Sequence, residues 1–124
     1  MATTFTKLAL QPAGTTGDGL GILVVATATA GTAIHTASAT ATTIDELWLY
    51  AYNNHSASVV LTVEFGGVTA PKDVIKSTLT TQSGLVLICA GLVIQGNATA
   101  KVVRAFAGTA SQVSLFGYVN RITV

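Results

Sequence analysis

The strongest constraint in this chain is a rhythm. Short β-favouring runs recur at intervals of about ten residues, each closed by Gly, Asn, Ser or Pro, the pattern of a sandwich or barrel. No sustained i, i+3, i+4, i+7 apolar pattern with caps competes with it. Thr and Val, poor helix formers with branched Cβ atoms that suit a pleated sheet, recur throughout. The runs are Phe5–Leu10, Leu20–Thr27, Ala33–Thr36, Thr43–Tyr52, Ala57–Phe65, Asp73–Leu79, Leu85–Gln95, Thr99–Phe106 and Val113–Val124. Between them lie a Pro12-containing loop at Gln11–Gly19, a turn at Asn53–Ser56, a Gly-Gly and Pro71 loop at Gly66–Lys72, and a hairpin-like turn at Gly96–Asn97. Gly91 is expected to break the seventh run. The predicted class is all-β: a single antiparallel β-sandwich, jelly-roll-like, of about eight strands. The 124 residues suit one domain, 1–124, with 1–20 as a candidate extended N-terminal arm.

Alternation assigns faces, because successive strand residues point to opposite sides. Val59, Leu61, Val63 and Phe65 share one side and are predicted to face the core, opposite Ser58, Thr62 and Glu64. Leu47, Leu49 and Ala51 share one side of the Thr43–Tyr52 run, and Glu46, Trp48, Tyr50 and Tyr52 the other. Both sides are thus partly apolar. The aromatic side has two readings: a surface buried by a partner, where Trp and Tyr are enriched, or a cover over another part of the same chain.

Charge is the second constraint. Only 9% of residues are charged, against about 25% in an average soluble domain, and the net charge is +1. Thr, Ala, Ser and Gly stand where the charges are missing. A surface so poor in charge gives up a common defence against aggregation. Either partner subunits cover much of it, or hydroxyl groups keep it wet. No basic run marks a nucleic-acid binder. No stretch reaches the roughly 20 apolar residues that span a bilayer as a helix. Lys101, Arg104 and Arg121 place positive charge on the last two runs, for salt links to an acidic neighbour or as solvated strand-face charges.

Signals for chemistry are weak, and no catalytic, cofactor-binding or metal residue is assigned. Cys89, the only cysteine, sits in an apolar run and reads as a small buried hydrophobe. Gly17-Asp18-Gly19-Leu20-Gly21 lacks the spacing of a phosphate loop, and a β run follows it where such a loop needs a helix. His35 and His55 have no metal-ligand spacing around them. Asp45 and Glu46 are adjacent on a strand, so they point to opposite faces and form no carboxylate dyad. No G-x-S-x-G nucleophile motif occurs. The chain is not expected to be an enzyme or to hold a cofactor.

The run Ala39–Asn53, ending Leu47-Trp48-Leu49-Tyr50-Ala51-Tyr52-Asn53, resembles the opening strands of small β-sandwich virion proteins of tailed bacteriophages. So do the turn at Leu92–Asn97, the strand Val102–Ala107, the Ser56–Val63 turn and strand, and Val113–Val124 with Phe116-Gly117-Tyr118. The resemblance covers roughly residues 33–124 and is one of pattern. It implies a virion structural protein, foremost a capsid decoration (cement) protein on the capsid exterior, made in the host cytoplasm. It implies binding to the major capsid protein or other virion proteins, and a homo-oligomer, with a trimer favoured. Two other readings stay open: a neck, tail or fibre component contacting the host surface, and a carbohydrate-binding module. The expected interface residues are Trp48, Tyr50, Tyr52, Arg104, Phe116 and Tyr118. Neither nucleic acid nor membrane is an expected partner.

Overall fold

The computed structural model describes residues 2–124, which form nine strands and no helix. They are β1 (Thr4–Ala9), β2 (Ile22–Val24), β3 (Thr32–Thr36), β4 (Thr43–Asn53), β5 (Val59–Phe65), β6 (Val74–Leu79), β7 (Val86–Gln95), β8 (Val102–Ala107) and β9 (Val113–Thr123). One sheet runs β1-β9-β4-β7, with β2 also on β9, and the other runs β3-β8-β5-β6. Every pairing is antiparallel. Chain neighbours rarely pair: β5–β6 is the one hairpin, and most connections cross from one sheet to the other. That order is a jelly roll, the architecture predicted from the strand rhythm.

The strand count follows from one interruption. β1 pairs with Tyr118–Thr123 of β9, and β2 continues along the same edge against Val113–Leu115. The loop through Pro12 and Gly14, whose φ of +77° suits glycine, divides what would otherwise be one edge strand. Eight sheet positions therefore hold nine strands. Residues 4–9 thus lie on a sheet edge, paired to β9.

The core is made by alternation. β4 is buried at every second residue, and Leu47, Leu49 and Ala51 are fully enclosed. Val113, Leu115 and Val119 of β9 flank them. Ile34, Leu61, Val63, Leu79, Val103, Ala105 and Ala107 close the core from the second sheet. Each buried Leu, Ile or Val contributes about 1.5–3 kcal/mol relative to exposure. Cys89 belongs to this cluster, as its apolar run suggested.

Two edge strands are bulged. In β7, Gly91 is the extra residue between the pairs Leu47–Leu92 and Trp48–Ala90, and Ile88 is extra between Leu49–Cys89 and Tyr50–Leu87. In β3 the register shifts between Ala33 and His35. The sequence predicts a break in the strand at Gly91. Gly91 bends the strand instead, because its φ of +72° costs glycine nothing and the ladder resumes beyond it. Bulged edges resist pairing with other sheets, a useful device in a chain with few charges.

Candidate interaction face

The outer face of the five-stranded sheet gathers most of the predicted interface residues. β4 points Trp48, Tyr50 and Tyr52 outward, because Leu47, Leu49 and Ala51 take the inner side. β9 points Phe116 and Tyr118 outward by the same alternation. Register then sets them side by side: Trp48 opposite Tyr118, and Tyr50 opposite Phe116. The Trp48 and Tyr118 rings are 6.1 Å apart and 9° from parallel. Aromatic cross-strand pairs of this kind add about 0.2–1 kcal/mol each.

Polar groups tie the row down. Lys7 of β1 places Nζ 4.5 Å from the centre of the Tyr118 ring. Trp48 Nε1 donates to Glu46 Oε1 at 2.9 Å, and Asn120 Nδ2 donates to the same oxygen at 3.1 Å. These two hydrogen bonds hold the Glu46 carboxyl below its usual range. Gly91 lets the Trp48 ring lie close to β7: a Cβ there would sit 3.3 Å from Cζ2 of Trp48. Phe116 is covered differently. A Cβ on Gly21 would sit 2.7 Å from its Cε2, so the loop before β2 rests on that ring. The Tyr52 hydroxyl donates to Asn54 Oδ1 at 3.4 Å.

The face is apolar beyond its aromatics. Phe5 is 73% exposed, Leu87 50% and Val93 52%. Lys7 and Glu46 are its two ionised groups among the described residues. Arg104 stands apart from the other five predicted residues. It lies on β8 in the second sheet, opposite Glu64, and donates through Nη1 to the Gly31 carbonyl at 3.3 Å. The charged groups Glu64, Arg104 and Lys76 all belong to that second sheet.

A buried polar cluster went unread in the sequence. Asp45 is the inward neighbour of Glu46 and is 1% exposed. Arg121 Nε donates to its Oδ1 and Nη2 to its Oδ2, both at 2.8 Å. His35, fully enclosed, meets Asp45 Oδ2 through Nε2 at 2.7 Å. The Gln11 amide donates to His35 Nδ1 at 3.1 Å, which leaves Nε2 to donate toward Asp45. Burial pushes the Asp45 carboxyl up, but the Arg121 and His35 hydrogen bonds and the Arg121 charge outweigh it and hold the carboxyl at about 2. The signal was present: Asp45 shares the parity of Leu47 and Leu49, so alternation alone put a carboxylate in the core.

The other acids are also engaged. Glu64 points away from the core as predicted, yet it is 1% exposed, because the segment after β2 folds over it. Gly31 N–H donates to its Oε1 at 2.7 Å and the Thr29 hydroxyl to its Oε2. Asp18 accepts from the Leu20 amide, and Asp73 from Lys72 and the Thr69 amide. All five side-chain carboxylates therefore serve as acceptors within the chain. Asp45 and Glu46 lie on opposite faces, as their adjacency required. Among the described residues, no group of three or more His, Cys, Asp or Glu is arranged to hold a metal ion. Every buried side-chain nitrogen and oxygen there has a partner.

The chain matches no protein-family model, and no curated protein matches it.

Proposed function

We propose that this chain is a structural subunit of a tailed-phage virion, a capsid decoration protein that binds the major capsid shell from outside and braces it. One observation carries the reading. Among the described residues, a sheet face bearing five aromatic rings and exposed Phe5, Leu87 and Val93 holds only Lys7 and Glu46 as ionised groups. Exposed apolar areas of this kind mark interaction sites on soluble proteins. The polar clusters support the same reading from the other side: each buried carboxylate is used within the chain, Asp45 between β4 and β9 and Glu64 against the segment after β2. The resemblance of residues 33–124 to phage β-sandwich virion proteins names the partner class. Many copies on one shell would add avidity without new contacts.

A carbohydrate-binding role is less favoured by the ring geometry. Tyr118 lies between Lys7 and Trp48, and Trp48 stacks on Tyr118, so neither ring offers an unobstructed flat platform. The test is co-sedimentation of the purified protein with empty phage shells. Saturable binding, with shells that survive higher temperature once loaded, is the expected result. Failure to bind shells, together with binding to tail particles or to a glycan array, would replace this reading.

A further inference from the structure

We infer that the outer face of the five-stranded sheet docks against the same face of a second copy, about a two-fold axis that runs along β9. This rests on the assembly reading above and names the surface and the symmetry it would use.

The strand register supplies the argument. Outward residues form rows across β1, β9, β4 and β7. In one row Lys7, Asn120 and Glu46 lie on consecutive strands, so the two charges that the described residues place on this face, opposite in sign, flank β9 in the same row. A two-fold rotation about β9 exchanges the two sides of that strand and keeps the row. It therefore brings Lys7 of each copy onto Glu46 of the other. The same rotation acts on the next row, Ala9, Tyr118 and Trp48, and sets the bulky Trp48 against the small Ala9 of the second copy. It also sets Tyr50 toward Gly21, which lies over Phe116 on the far side of β9. Charge meets opposite charge and large meets small under one operation, the self-complementarity that an isologous pair requires.

Under this rotation β7 of each copy falls beyond the β1 edge of the other, so β1, β9 and β4 overlap. Three strands at about 4.8 Å spacing and five rows at about 6.8 Å give a shared face of roughly 500 Å². Two such faces bury about 1,000 Å², the least that a specific interface needs. Face-to-face sheets pack about 10 Å apart with strands nearly aligned, which the row pairing tolerates near the axis. The second sheet does not compete for this role: its outer face carries Arg104, Glu64 and Lys76, and the segment after β2 already covers part of it. On this geometry the unit is a pair, where the resemblance implied a trimer.

Sedimentation velocity on the full chain tests it. The expected species is about 25 kDa, twice the 12.6 kDa chain. Lys7→Glu and Glu46→Lys, each alone, set like charges opposite one another and should weaken the pair at least about tenfold. Mixing the two single variants restores opposite charges at both contacts and should restore the pair. Circular dichroism of each variant checks that the fold is kept. A monomer or a trimer of the wild-type chain overturns the inference, as does a mixture that associates no better than either variant alone. A monomer that still loads onto shells would sink the pair and leave the decoration reading standing. A pair that ignores shells and tails would do the reverse.

Discussion

Arg121 reaches inward from β9 to grip Asp45 on β4 with two hydrogen bonds of 2.8 Å, across a register pair in the middle of a sheet otherwise filled with Leu and Val. The side chain of Asp45 is fully enclosed, while that of Arg121 keeps 24% of its surface. The guanidinium thus supplies the positive charge that makes a core carboxylate tolerable. His35 closes the other side and links the cluster to the backbone at Gln11. Three strands and the segment after β1 meet at this one group.

Removing the guanidinium strands the carboxylate. Arg121→Met keeps the aliphatic bulk and deletes the charge, and it should lower unfolding free energy by about 3 kcal/mol, because a buried charge is left without its counter-ion. Urea unfolding followed by Trp48 fluorescence measures it. A loss below about 0.5 kcal/mol would mean that the pair adds nothing to the fold.

The same cluster sets a pH dependence. The Asp45 carboxyl lies at about 2 in the folded chain, against an ordinary value of 3.8. The folded pKa is depressed, so the folded state holds the ionised form more tightly than the unfolded chain does. That stability is fully present above the unfolded value and is lost as pH falls from near 4 through 2. Its size is about 2 kcal/mol. Asp45→Asn should flatten the slope of stability against pH in this window, whatever its effect at pH 7. An unchanged slope would place the acid sensitivity elsewhere.

Cys89 should be inert while the chain is folded. It is buried at 4% exposure, and burial pushes its thiol up to about 11. The reactive thiolate is therefore scarce at pH 8. Labelling with a disulfide reagent at pH 8 should be slow in buffer and complete within seconds in urea. Fast labelling of the native protein would contradict the packing of β7 against the core.

Close approach at the centre of β9 should make Gly117 intolerant of any side chain. A Cβ there would lie 2.0 Å from the Trp48 carbonyl oxygen, so β4 or β9 must move to admit it. Gly117→Ala is expected to cost about 2–3 kcal/mol. Gly108→Ala, where a Cβ meets nothing within 4 Å, should stay within about 0.5 kcal/mol of wild type. Urea midpoints of the two variants, compared side by side, decide the matter.

Much of this architecture was legible in the residues. The ten-residue rhythm of β-branched runs and turn residues determined the strands, and alternation within Thr43–Tyr52 and Ala57–Phe65 determined which side chains face inward. Both are local properties, set by backbone sterics and a period of two. Cys89 in the core and Asp45 opposed in direction to Glu46 follow from the same local rule. What the tertiary structure alone decided is which strands become neighbours. That choice placed Trp48 on Tyr118, Tyr50 beside Phe116, and Arg121 on Asp45, and sent Arg104 to the other sheet. It also folded Thr29 and Gly31 over Glu64, burying an acid whose strand position points away from the core. Partners separated by 70 or more residues, as Asp45 and Arg121 are by 76, share no local signal. They meet because a jelly roll crosses between sheets at nearly every connection, and only closure of the whole core selects that path.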